Sequence, residues 1–394
     1  MTSPGIYLDH AATTPVAPQV LEAMLPFLGD GYGNPSSVHA AGRSARNAVD
    51  DARDALASVI GASHREVVFT GSGSEADNLA IRGVLERQGP ERGRHLVVSA
   101  IEHDAVLETA RRLQELGAAE VTTVPCGADG AVDPERVAGA VRDDTLLVSV
   151  MLVNNETGVL QDVPNIVEAV HVRNPRTLVH TDAVQAMARV SVDVASLGVD
   201  LLSLSAHKFY GPKGVGALWV RHGVLLGAQI TGGGHERNRR SGTENVAGIA
   251  GLAAAAQLVE RERGVENDRQ KVLSERLTSV VCGSVPGTTI TGDPSRRVAG
   301  FATFAFEGAR SDLLLTTLDG LGVYGSGGSA CASGAPTPSH VLVAMGLDDA
   351  LAAGALRLTT GRGTSEEDID TAGRAIATAV AQVRGATPAL RDSR

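Results

Sequence analysis

The stretch VDLLSLSAHKFYGPKGVGALWV, residues 199–220, carries two apolar runs joined by a tight Gly-Pro-Lys-Gly turn, with His207 and Lys208 where the first run ends. Apolar runs of strand length that do not alternate with polar residues are the mark of strands covered on both faces. Working outward, strand-like runs recur at 67–70, 95–100, 120–124, 145–153 and 178–181. Between them lie helical periodicities at 43–60, 104–116 and 162–173. Such alternation predicts an α/β fold, with a mostly parallel sheet flanked by helices. We assign residues 16–259 to this large domain. From Arg261 onward the texture changes to charged helices and a second strand set, clearest at 299–308. Residues 1–15 and 260–394 are therefore expected to form a smaller α+β domain, linked through a helix over 244–259, with a frayed C-terminus.

The chain has 394 residues, 35 basic and 45 acidic, for a formal net charge of −10. Its three cysteines, Cys126, Cys282 and Cys331, are odd in number, widely spaced and without a CxxC pair. Neither a disulfide framework nor a bound metal is expected, and a reducing cytoplasmic setting fits. The start, MTSPGIYLDHAATTP, lacks the basic and apolar regions of a secretory signal. The apolar run VAGIAGLAAAAQLV, 246–259, falls short of the roughly 18 residues of a membrane span. The acidic balance argues against direct contact with nucleic acid. The one basic cluster, HERNRR at 235–240, follows three glycines and reads as a loop for a small anion.

Three strand ends carry candidate chemistry. In VVFTGSGSEADNLAI, 67–81, a strand runs through Gly71, Ser72, Gly73 and Ser74 into a helix expected near Glu75. That turn is either an ordinary one capped by Ser74 or a phosphate cup at a helix N-terminus. In LVHTDAVQ, 178–185, Asp182 follows an apolar strand, either to cap the next turn or to hold a protonated ring nitrogen, with Gln185 three residues on. Lys208 is either a surface lysine that opens a loop or, at the edge of a buried strand, one that loses water, which favours the neutral amine that forms Schiff bases, with Ser205 and His207 able to donate to an anion beside it. A phosphate anchor, an anion for a pyridine nitrogen and a Schiff-base lysine are together what pyridoxal 5′-phosphate requires. His103 in IEHDAV either stacks on such a ring, moves a proton or bonds within its loop. Asn154 and Asn155 in MLVNNETGV either bind a ligand or close a turn. Arg357 in GALRLTTGRG suits either a bidentate clamp on a substrate carboxylate or a surface ion pair. Cys331 sits in GSGGSACASGAPTPSHVL and is either a small buried hydrophobe, as free cysteines usually are, or a reactive thiol, which the accessible-loop composition favours. Cys126 and Cys282 read as structural.

With YLDHAATTP, FTGSGSEADNLAI, EHDAVLE, VNNETGVLQ, HTDAVQ, SAHKFYGPKGVGAL, GGGHERNRRSGTEN, GSACAS and LRLTTGR in one order, the sequence resembles, over nearly its whole length, the cysteine desulfurases of NifS and IscS type. These are class V pyridoxal-phosphate enzymes of fold type I. The resemblance implies that Lys208 holds the cofactor covalently, that Asp182 faces the pyridine nitrogen, that Gln185 bonds the ring hydroxyl and that His103 stacks on the ring. It assigns the phosphate to Gly73, Ser74, Ser205 and His207, with Thr243 reaching over from a second subunit of a homodimer. Asn155 and Arg357 would bind the substrate carboxylate. Cys331 would attack the sulfur of L-cysteine, leaving alanine and a persulfide for an acceptor protein in iron–sulfur cluster assembly or another thiolation pathway. Two departures stand out. FTGSGSE replaces the usual Ser-Gly-Ala-Thr-Glu, so Ser74 supplies the hydroxyl usually given by threonine, and RLTTGR replaces a more usual Ser-Leu pair beside Arg357. The competing expectations are another class V enzyme, such as a selenocysteine lyase or an aminotransferase, and a non-catalytic sulfur-assembly scaffold, against which intact Lys208, Asp182 and Cys331 speak.

Overall fold

The strand Leu201–Ser205 is buried along its whole length, and its side chains leave alternately for two different apolar layers. Leu201 joins Val68, Leu218 and the helices Gly73–Arg92 and Asp104–Glu115. Leu202 and Leu204 join Phe69, Ala217 and Trp219 on the other side. There the cover comes from the helices Ala40–Val59 and Val163–Arg173 and the first half of Val246–Ser284. This two-sided burial is why the strands read as continuous apolar runs.

The computed structural model describes residues 5–328 and 338–391. Its main sheet has seven strands in the order Val67–Thr70, Gly216–Val220, Leu201–Ser205, Leu178–Asp182, Thr145–Ser149, His95–Ser99 and Glu120–Val124. Gly216–Val220 runs antiparallel to both its neighbours, and the remaining pairs are parallel. The expected α/β architecture is the one observed. The apolar run 145–153 supplies a strand only as far as Ser149, after which the chain leaves the sheet edge toward the Asn154 turn.

A second, antiparallel sheet is formed by Thr288–Ile290, Phe301–Phe306 and Ala355–Thr359, with the last two in a register that pairs Thr303 with Arg357. It has its own core, in which Phe304 and Phe306 meet Leu273, Leu277 and Val281 of the long helix and Ile369 and Ile376 of the C-terminal helix Glu366–Arg391. Leu8 lies in this core too. The helix Val246–Ser284 is continuous over 39 residues, roughly 58 Å at 1.5 Å per residue. The boundary expected at 259/260 thus falls inside one rigid element that serves both cores.

The HERNRR segment departs from its expected role as an anion loop. Glu236, Arg237 and Asn238 all have left-handed φ, at 46°, 57° and 63°. Consecutive non-glycine residues in that region are costly and persist only when neighbours hold them. The hold is the Glu236 carboxylate, which accepts from Arg53 Nη1 at 2.7 Å, from Arg53 Nη2 at 2.8 Å and from the Phe69 backbone N–H at 2.9 Å. Arg53 also donates to the Val67 carbonyl and stacks on the Phe69 ring. Arg240 pairs with Glu75 at 2.8 Å. The cluster's charges therefore fasten the loop to the strand that leads into the glycine turn. Removing one partner of a buried pair leaves the other uncompensated. Arg53→Ala is expected to lose about 3–5 kcal/mol in urea unfolding, and Arg53→Lys to recover only part of it, because lysine lacks the two-pronged fork.

Candidate active site

In a parallel sheet all strands end on the same edge, and here Thr70, Ser99, Ser149, Asp182 and Ser205 close their strands there. A cavity of about 290 Å³ opens at this edge, lined among others by Gly73, Ser74, His103, Asn155, Asp182 and Gln185, and by Ser205, His207, Lys208 and Arg357. Ten candidate residues from separate stretches thus converge on one space. Thr243 is exposed and lies outside its wall. Cys331 lies outside the described residues.

At one end of the cavity the glycine turn enters a helix that begins at Gly73, two residues before the expected start. Its cap is Ser72, whose hydroxyl accepts from the Glu75 N–H at 3.1 Å, so Ser74 is a first-turn residue and not the cap. The Gly71 N–H is taken by the Glu75 carboxylate at 2.7 Å, which leaves the N–H groups at the start of the helix for a ligand. A Cβ on Gly73 would stand 2.7 Å from Val184 and 3.1 Å from Ser205, so the backbone is kept bare where a ligand must come close. Burial, reinforced by the neighbouring lysines 208 and 213, pushes His207 down to about 4. Its imidazole is therefore a neutral hydrogen-bonding group at neutral pH, and its Nδ1 lies 3.1 Å from Thr13 Oγ1.

Lys208 is fixed by two backbone carbonyls, donating to Ala11 and Ala12 at 2.8 Å each. The Ala11 carbonyl also accepts from Gln185 Nε2 at 2.8 Å. The YLDHAATTP segment thus orients two site residues through its backbone, a role that side-chain identity does not disclose. Asp182 is buried and takes the Val184 N–H at 2.8 Å. Burial raises its pKa, while His103 and Lys208 oppose the rise. His103 caps the helix Asp104–Glu115, its Nδ1 accepting from the Ala105 N–H at 3.0 Å. In the neutral ring this leaves the proton on Nε2.

The two adjacent asparagines divide the roles left open between them. Asn154 closes the turn: its Oδ1 accepts from the N–H groups of Glu156 and Thr157 at 3.0 and 2.9 Å and from the Thr157 hydroxyl at 3.1 Å, and its Nδ2 donates to the Ile101 carbonyl. Gly158 completes that turn at φ 73°, where a Cβ would stand 2.6 Å from the Phe301 ring. Asn155 faces the cavity, and its buried Oδ1 has no partner among the described residues. Arg357 arrives from the second sheet and donates to the Asn155 carbonyl at 2.7 Å and to Asp9 Oδ1 at 2.8 Å, while its buried Nε has no hydrogen bond among the described residues. Asp9 was not singled out by sequence reasoning. Nor were Asp77 and Glu102, buried acids in or near the wall, because nothing in the local pattern separates them from surface carboxylates. At the rim, Ser339 donates to the Glu156 carboxylate, and a Cβ on Gly328 would stand 2.7 Å from the same carboxylate. Both described neighbours of the 329–337 segment therefore lie close to Glu156, a residue of the cavity wall.

The aminotransferase class-V family model matches residues 6–371. The cysteine desulfurase IscS of Clostridium botulinum (strain Hall) is 42% identical over 389 residues, covering 98% of this chain and 97% of that one. Among solved structures, a NifS-like protein superposes with a TM-score of 0.89 at 36% identity, over 96% of this chain and all of its own. A structure described as SspA in complex with cysteine superposes with a TM-score of 0.80 at 34% identity, over 90% and 98%. The chain belongs to the class-V aminotransferase family, whose enzymes depend on pyridoxal phosphate. The cavity fits that cofactor. The bare Gly73 backbone and helix start suit the phosphate, the buried Asp182 carboxylate suits a ring cation, and Lys208 lies on the same wall.

The asparagine pair gives a direct check. Asn154→Ala leaves a buried carbonyl and two N–H donors without their partner and is expected to lose about 2–4 kcal/mol in urea unfolding. Asn155→Ala, which removes an acceptor that bonds nothing among the described residues, is expected to stay within about 0.5 kcal/mol of wild type.

Proposed function

We propose that this chain is a pyridoxal-phosphate-dependent cysteine desulfurase that converts L-cysteine to L-alanine and passes the sulfur, through a persulfide on Cys331, to an acceptor protein. The observation that carries this reading is the convergence of Lys208, Asp182 and the Gly73 cradle on one cavity. The described residues on either side of the Cys331 segment lie close to Glu156 in its wall. Cys331 follows Gly328 by three residues, a reach of about 10 Å in extended chain.

Gly73, Ser74, Ser205 and His207 would hold the cofactor's phosphate, and Lys208 would hold the cofactor covalently through its amine. When bound, the cofactor supplies a conjugated cationic ring that makes the substrate Cα–H acidic. Asp182 would set a negative charge against the ring nitrogen, Gln185 would bond the ring hydroxyl and His103 would lie against the ring. Arg357 and Asn155 fix the substrate carboxylate, and Arg357 Nε and Asn155 Oδ1, partnerless among the described residues, are what a bound zwitterion would satisfy. The freed amine of Lys208 takes the Cα proton. The Cys331 thiolate then bonds to the substrate sulfur as the Cβ–S bond breaks, and alanine leaves after Cβ gains a proton and Lys208 returns the one taken from Cα. A reducing cytoplasmic setting suits a thiol that must return to its free form.

A homodimer accounts for the exposure of Thr243, which would complete the phosphate site of a second copy. Exposed Leu25, Leu28, Tyr32 and Val38 near the N-terminus suit burial in such an interface. The acceptor is expected in iron–sulfur cluster assembly or another thiolation pathway.

Purified protein is expected to be yellow, and Lys208→Ala to lose both the visible band and all turnover. Cys331→Ser should still change its spectrum on addition of cysteine, yet release under about one hundredth of the wild-type sulfide in the presence of a thiol reductant. Full sulfide release by that variant, or efficient amination of a 2-oxo acid by the wild type, would remove the desulfurase reading. A second check is Arg357→Lys, which should raise the KM for cysteine at least about tenfold, the loss of one good bidentate contact, with the cofactor band unchanged.

A further inference from the structure

Five side chains that the chemistry above does not use form one polar chain across the middle of the main sheet, hydrogen-bonded from Glu102 to Ser203 and closed by Asp77. Asp77 comes from the helix Gly73–Arg92, Ser203, His180 and Ser149 from three adjacent strands, and Glu102 from the loop after Ser99. All five are at most 1% exposed. Ser203 lies 2.9 Å from His180 Nε2 and close enough to Asp77 to oppose the rise in its pKa, and Asp77 Oδ1 stands 3.6 Å from the same His180 nitrogen. Ser149 lies 2.9 Å from His180 Nδ1 and 3.4 Å from Glu102 Oε2. Glu102 Oε1 is fully engaged as an acceptor, from Ser99 at 2.6 Å and from the Met151 N–H at 2.7 Å, so a proton on this carboxyl belongs on Oε2, toward Ser149. Asp77 lines the cavity and Glu102 does not. His180 and Asp182 leave their strand on the same face.

The arrangement has a direction. A neutral imidazole donates at one nitrogen and accepts at the other, and each serine has one proton to give. If His180 Nε2 carries the proton, the order runs from Glu102 Oε2–H to Ser149, from Ser149 to Nδ1, from Nε2–H to Ser203 and from Ser203 to an ionised Asp77. If Nδ1 carries it, every bond reverses: Asp77 is protonated and Glu102 is the anion. Passing from the first order to the second moves one proton at each link. Glu102 gives its proton to Ser149, Ser149 gives its own to Nδ1, Nε2–H goes to Ser203 and the Ser203 proton to Asp77. Both serines and the ring end neutral, and one negative charge has moved from Asp77 to Glu102.

We propose that this chain is a proton wire that places one buried negative charge either on Asp77 at the cavity wall or on Glu102 behind it, its five members acting as positioning residues for the field at Asp182. The surroundings support it. Burial lowers His180 to about 3, so the ring stays neutral, and raises Glu102 to about 8. Burial and then the charge of Asp182 raise Asp77. The titratable groups facing Asp182 are His103, Lys208, Asp77 and Glu102, those facing Asp77 are Asp182, Glu102 and His180, whose Nε2 is 3.6 Å away, and those facing Glu102 are Asp182 and Asp77, with His340 Nε2 meeting only the Glu102 carbonyl, at 3.0 Å. An ionised Asp182 therefore sends the charge to Glu102. When a ring cation neutralises Asp182, the charge can return to Asp77. This function of the wire rests on the cofactor reading given above.

Two conservative variants lock the two orders. In Glu102→Gln the amide NH₂ replaces Oε2 and can only donate, which fixes the anion on Asp77. Asp77→Asn donates from the other end and fixes it on Glu102. The pH midpoint of the visible absorption change of the bound cofactor should rise in Glu102→Gln and fall in Asp77→Asn, each by about half a unit or more. Ser203→Ala cuts the wire and should abolish the effect of Glu102→Gln. In the cofactor-free protein, ¹⁵N NMR of His180 should show Nε2–H in Glu102→Gln and Nδ1–H in Asp77→Asn. Shifts of the same sign, or an unchanged midpoint in folded Glu102→Gln, would overturn the wire, as would one tautomer in both variants. A wild type that binds no pyridoxal phosphate would defeat the cofactor reading, and the tautomer measurement would then decide on the wire alone.

Discussion

Covering a largely parallel sheet with apolar layers on both faces confines most of its polar side chains to the strand ends, the buried His180–Ser203 contact between neighbouring strands being an exception, and the rest of this molecule is arranged around that restriction. Phe69, Leu202 and Leu204 face one layer while Val68 and Leu201 face the other. Polar groups accumulate where each strand runs out, from Ser99 and Ser149 to Asp182 and Ser205. These groups are held by a scaffold whose interior is packed, so their spacing is set by the sheet and not by the loops that follow. Burial of their immediate surroundings also strengthens each electrostatic interaction they make. The same covering explains the need for Glu236. Its carboxylate ties a strained outer loop to the Phe69 backbone next to the glycine turn, so the loop's conformation is set by a buried contact.

The second sheet contributes a single decisive group. Arg357 sits in the strand Ala355–Thr359, but its guanidinium bonds Asp9 and the Asn155 carbonyl, which belong to the N-terminal segment and to the main-sheet edge. One side chain therefore ties three separate parts of the chain at the cavity. The helix Val246–Ser284 prevents these parts from moving independently, because its first half lies in the main core and its second half in the smaller one. A substrate bound by Arg357 is consequently registered against the main-sheet residues through rigid elements.

Much of this was legible in the sequence because burial on both faces produces unmistakable apolar runs, and because Lys208, Asp182 and Gly73 each follow such a run directly. What the runs could not reveal was backbone chemistry. The Ala11 and Ala12 carbonyls hold Lys208, yet alanine signals nothing of the kind. The cap at Ser72 was assigned to Ser74 because both serines fit a capping position and only the Glu75 hydrogen bond distinguishes them. HERNRR looked like a free basic cluster because its acids, Glu75 and the turned-in Glu236, are apportioned by tertiary structure. His180, Asp77 and Glu102 were hidden for a similar reason: their link to one another crosses three strands and a helix, and no local spacing records it.

The cavity also has an electrical polarity that shape alone would not give. One end presents backbone N–H groups at the start of a helix and a neutral His207, which together attract an anion through dipoles and hydrogen bonds. Farther along the wall stand Asp182 and Asp77, buried acids that resist ionising side by side. A cation placed against Asp182 relieves that conflict, whereas an anion there would deepen it. A ligand with a phosphate at one end and a protonated ring nitrogen at the other therefore meets complementary charge in one orientation and repulsion in the reverse. The direction in which such a ligand enters is fixed by the placement of these dipoles and acids before Lys208 forms any bond to it.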